Sequence, residues 1–107
     1  MTLNTALVKR GYSVMAASIQ YDGLLPPTYE GAPLPYWVAA LAGKPDGWVP
    51  SFMNIIRAYQ PDVIMCTQDA PYGEAVRNLP LDWSKIAFVM CTPVDGTPIM
   101  QKCVDTM

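Results

Sequence analysis

Two short runs with continuous apolar centres constrain this chain most: "DVIMCT" at 62–67 and "IAFVMC" at 86–91. Each is rich in β-branched or bulky residues and has no polar alternation, as expected of strands covered on both faces by helices. Between them "GEAVRNL" predicts a short helix. Before them "SFMNIIRAY" carries Phe52, Ile55, Ile56 and Tyr59 at i, i+3, i+4 and i+7, with Ser51 as an N-cap. Gln60-Pro61 ends that helix, because the residue before proline is pushed out of the α region. Helices alternating with continuous apolar strands indicate a parallel sheet of the doubly wound type.

The N-terminal third repeats the pattern. Leu3, Ala6 and Leu7 share a helical face over 2–10, Lys9-Arg10 occupy the last turn, and Gly11 supplies the exit. "YSVMAASI" at 12–19 follows as a strand. The stretch from Tyr21 to Pro50 differs in character. Pro26, Pro27, Pro33 and Pro35, with Gly23 and Gly31, exclude sustained helix over most of it, although "WVAALAG" reads as one short helix. The chain of 107 residues therefore reads as a single α/β domain with an irregular, aromatic-rich insertion at 21–50.

Composition removes several functions. Charged residues make up 15% of the chain, the formal net charge is −2, and the longest basic run is Lys9-Arg10, so no nucleic-acid footprint is present. No apolar run approaches the roughly 20 residues that span a bilayer. With no histidine and no C-x-x-C, neither a zinc site nor Ser-His-Asp or Cys-His catalysis is expected, and no cofactor is implied. Cys66, Cys91 and Cys103 are odd in number and widely spaced, and two sit inside apolar runs, which fits a reducing cytoplasm.

Open parallel sheets bind ligands beyond the carboxyl ends of their strands. Three segments qualify: Gln20-Tyr21-Asp22, Gln68-Asp69, and Thr92 to Gly96, each with one carboxylate (Asp22, Asp69, Asp95). Ordinary structural roles stand beside these. Asp22-Gly23 and Asp95-Gly96 are common turn dipeptides, and Asp69 suits the N-cap of a helix that has Pro71 near its start. Tyr21, Tyr29, Tyr36, Trp37 and Trp48 either form a binding wall or pack the insertion onto the sheet.

Taken together, "LVKRGYSV", "PDVIMCTQD" and "SKIAFVMCTPVDGTPI" resemble the N-terminal domain of retaining GT-B glycosyltransferases, the group 1 or family 4-like enzymes. Leu7, Lys9, Arg10, Gly11 and Val14 match that group's helix-to-strand pattern, with Tyr12-Ser13 where His-Glu is common. Pro61, Asp62, Val63 and Ile64 match a second motif, and Pro93, Val94, Asp95, Gly96 and Pro98 a third.

The resemblance implies a Rossmann-like three-layer domain with a mostly parallel sheet. It implies transfer of sugar from a nucleotide-sugar donor to a carbohydrate or lipid acceptor, with this part on the acceptor side. Asp95 and Asp69 are then the expected catalytic residues, and Gln68, Tyr21, Asp22, Thr92 and Gly96 the expected substrate contacts. The family's first strand and its donor domain are missing, so the piece alone is expected to be inactive. The missing strand would lie between strands 12–19 and 62–67, which must then pair directly, self-associate or receive a complementing chain. The alternative is a non-catalytic Rossmann-like or flavodoxin-like module that binds a small ligand or a protein.

Overall fold

The computed structural model describes residues 2–19, 21, 23–24, 28–41 and 47–92. The chain forms two compact units, Met1–Gln60 and Pro61–Met107. Both are α/β, built on short parallel strand pairs and helices. No described helix is long and apolar enough to cross a membrane.

The first unit opens with α1 (Leu3–Lys9), which ends at Gly11 as its sequence predicts and is capped by Thr2 at its start, a cap the sequence reading does not anticipate. The Thr2 hydroxyl accepts from the Thr5 N–H at 3.2 Å. At the other end Gly11 has φ +90°, its N–H donates to Val8 O at 2.9 Å, and the Tyr12 N–H donates to Leu7 O at 3.1 Å. That pair of bonds is a Schellman closure, which needs a left-handed residue after the helix. β1 (Met15–Ser18) follows within the predicted strand.

The partner of β1 lies in the insertion. β4 (Trp37–Ala40) runs parallel to it in the register Met15↔Trp37 to Ser18↔Ala40. The Leu41 N–H extends the ladder to Ser18 O at 2.9 Å. This overturns the helical reading of "WVAALAG". Alanine and leucine favour a helix by intrinsic propensity, but strand pairing overrides a preference worth only tenths of a kcal/mol per residue. Upstream, β2 (Thr28–Tyr29) and β3 (Ala32–Pro33) form a hairpin around Glu30-Gly31. Both turn residues have positive φ, +50° and +79°, which is the backbone twist that two-residue hairpin loops require.

α2 (Trp48–Tyr59) starts three residues before the predicted Ser51 cap, with Gly47 at the N-cap. Pro50 does not prevent this, because first-turn N–H groups have no intrahelical acceptor to lose. Trp48 and Ile56 are buried, as is Leu41, and Trp48 meets Phe52 with ring centroids 5.9 Å apart. The Tyr59 hydroxyl bonds Ser13 Oγ at 2.7 Å, joining the end of α2 to the loop after α1. The helix stops at Gln60, whose N–H still bonds Ile56 O at 2.8 Å while its backbone turns left-handed, φ +51° and ψ +64°.

A left-handed non-glycine residue costs about 1–2 kcal/mol, and glycine's greater chain entropy returns about 0.5–1 of that. Gln60→Gly is therefore expected to stabilise the protein by about 0.5–1 kcal/mol. The check is a rise in the urea midpoint; a fall would show that the Gln60 side chain contributes more than its backbone strain costs.

In the second unit β5 (Val63–Cys66) leads into α3 (Ala70–Arg77), which returns to β6 (Ala87–Met90). β5 and β6 are parallel, Val63↔Ala87 to Cys66↔Met90, and the ladder runs one step further at each end. Ala87 N–H bonds Asp62 O at 2.9 Å, and Cys91 N–H bonds Cys66 O at 2.8 Å. The return from α3 is held by Trp83. Its indole N–H donates to Leu79 O at 3.2 Å, its ring meets Phe88 edge-on at 5.7 Å, and the Arg77 guanidinium sits 4.7 Å from its centroid. Beside it Asp82 accepts from Ser84 and pairs with Lys85 at 3.4 Å, and the Ser84 bond foremost holds its carboxyl below the usual range.

The sequence predicts helices over both faces of β5, and burial is one-sided. Ile64 and Cys66 are buried, whereas Val63 is 53% and Met65 39% exposed; on β6, Val89 is 38% exposed. α3 contacts β5, and Gly73 of α3 meets the Met90 thioether. One helix can cover only one face of a strand pair, because neighbouring side chains alternate between faces.

Candidate functional site

The parallel register of β5 and β6 brings two of the predicted loop starts to one edge. Gln68-Asp69 leaves β5 two residues after Cys66, and Thr92 leaves β6 two residues after Met90, its register partner. Strands rise about 3.3 Å per residue and neighbours lie about 4.8 Å apart, so the two exits are adjacent by construction.

Asp69 takes the N-cap position of α3, with extended dihedrals of −59° and 150°, and its side chain makes no capping hydrogen bond. The local sequence explains this. A cap side chain accepts from the second or third N–H of the helix. The second helical residue is Pro71, which has no N–H, and the third, Tyr72, already donates to the Asp69 carbonyl at 3.0 Å. The carboxylate is thus left exposed and unused by the cap, at the amino end of a helix and the carboxyl end of a strand. Gln68 beside it is exposed and Thr92 half-buried. An amide, a carboxylate and a hydroxyl offer both donors and acceptors, a set suited to a hydroxyl-rich ligand.

Of the other predicted positions, Tyr21 is half-buried within the first unit. Asp22, Asp95 and Gly96 lie outside the described residues, as does the motif from Pro93 to Pro98. The aromatic set divides. Trp48 is a core residue, whereas Trp37, the first residue of β4, is 80% exposed and Tyr29 also faces solvent. The strand end at Ala40-Leu41 is a further exit beside that of β1, hidden in the sequence by the helical propensity of "WVAALAG".

Cys66 sits under this edge. Burial pushes its thiol above the ordinary value, the neighbouring Cys91 pushes the same way, and the Gln68 N–H that donates to the sulfur opposes them. A buried, protonated thiol is a poor nucleophile, so Cys66 acts as core beneath the loop. Both described cysteines are free, and Cys91 is exposed. Iodoacetamide at mild alkaline pH is expected to label Cys91 well before Cys66, with Cys66 reacting only in denaturant. Peptide mass spectrometry reads the order, and equal labelling of the two would overturn it. Because folding holds the Cys66 thiol protonated, its contribution to stability is complete below the unfolded thiol value, about 8.5, and is lost as pH rises through the raised folded value.

Among the described residues no group of three or more His, Cys, Asp or Glu is arranged to hold a metal ion. Comparison of the chain with models of protein families, with curated proteins and with solved structures returns no match.

Proposed function

We propose that this chain is a piece of the acceptor-side, Rossmann-like domain of a retaining GT-B glycosyltransferase, in which the edge formed by Gln68, Asp69 and Thr92 receives the acceptor. The observation that carries the reading is Asp69: an exposed carboxylate at the carboxyl end of a parallel strand, left out of the helix cap it occupies. Further support comes from the β5–α3–β6 unit, whose parallel crossover is the repeating element of Rossmann-like domains, and from the three motifs that resemble the family. In this reading Asp69 and Asp95 orient an acceptor hydroxyl, with Gln68, Thr92 and Gly96 as contacts. The nucleotide-sugar donor is held mainly by a second domain that is not in this chain.

An amide-shift titration tests the proposal. Simple glycosides are expected to move signals confined to residues 66–72 and 92–98, while nucleotide sugars produce weaker changes. Asp69→Asn is expected to weaken glycoside binding about tenfold, the value of roughly 1.4 kcal/mol that one charge-assisted hydrogen bond supplies. No response to glycosides, or a response unaffected by Asp69→Asn, would overturn the assignment of this edge.

A further inference from the structure

No further inference is drawn: the strongest candidate, the bare apolar face of the β5–β6 pair carried by Val63, Met65 and Val89, is an exposed sheet surface for which nothing in the structure shows what covers it.

Discussion

Replacing Trp48 by alanine is expected to destabilise the protein by about 3–5 kcal/mol, the range for removing a buried aromatic side chain. Whole domains are stable by only about 5–15 kcal/mol, so this one change removes a large share of the total. Trp48, Leu41 and Ile56 are the buried apolar residues among those described in the first unit. Trp48 is also the first residue of α2, whose N-cap Gly47 offers no side-chain hydrogen bond. The start of that helix is therefore held by packing, Trp48 against Phe52 included, and loses its anchor with the indole. Trp37→Ala is the control. The same side chain at 80% exposure is expected to change stability by less than about 0.5 kcal/mol. Urea unfolding of the three proteins decides the matter, and equal midpoints for Trp48→Ala and Trp37→Ala would sink the assignment of the core.

The contrast between these two tryptophans shows where the sequence is and is not informative. Both stand near proline and glycine in the irregular stretch, and nothing local marks one as core and the other as surface. Burial is decided by which strand or helix each joins, and that depends on partners far along the chain. α1, α3, β1, β5 and β6 are legible because each carries its own signal: an apolar period, a basic last turn, a glycine exit or a β-rich run. β4 is not, because "WVAALAG" has helical propensity and becomes a strand only by pairing with β1 across about twenty residues. The hairpin at 28–33 hides for a related reason. Its strands are two residues long and its turn is Glu-Gly, with glutamate at a position that usually takes asparagine or glycine.

The candidate site follows the same division. That Gln68 and Asp69 leave a strand at its carboxyl end is readable from "DVIMCTQD" followed by Ala-Pro. That Asp69 holds the N-cap position without making the cap bond is a matter of donors, since Pro71 removes one and the Asp69 carbonyl takes the next. Among the described residues of the second unit one helix, α3, packs on β5, because an apolar run records the hydrophobicity of a strand, and not the number of helices supplied to cover it.

Gly73→Val is expected to destabilise the second unit by about 1–3 kcal/mol, through overpacking against Met90. Gly73 is buried in the interior of α3, where glycine costs about 1 kcal/mol relative to alanine. The reason for its presence is space. A Cβ at this position would stand 2.7 Å from Met90 Cε and collide with Met90 Sδ. Those atoms are the far end of an unbranched, adaptable side chain, so Gly73→Ala displaces the thioether at modest cost and gains helix propensity. The alanine variant is expected to lie within about 1 kcal/mol of the native protein. Valine adds two further methyl groups, with little χ1 freedom in a helix, and the thioether cannot yield enough. α3 must then lift from β5–β6, shifting its N-cap residue Asp69 with it.

The double variant Gly73→Val, Met90→Ala isolates the cause. Emptying the Met90 position gives the valine somewhere to go, so the pair is expected to be less destabilised than the sum of its members, by roughly 0.5–3 kcal/mol. If the two changes add to within about 0.5 kcal/mol, the helix is not seated on Met90. The same variants connect packing to ligand. If the glycoside response at residues 66–72 depends on the seat of α3, it is lost in Gly73→Val and returns in the double variant, although neither residue is exposed at the edge that Gln68 and Asp69 form.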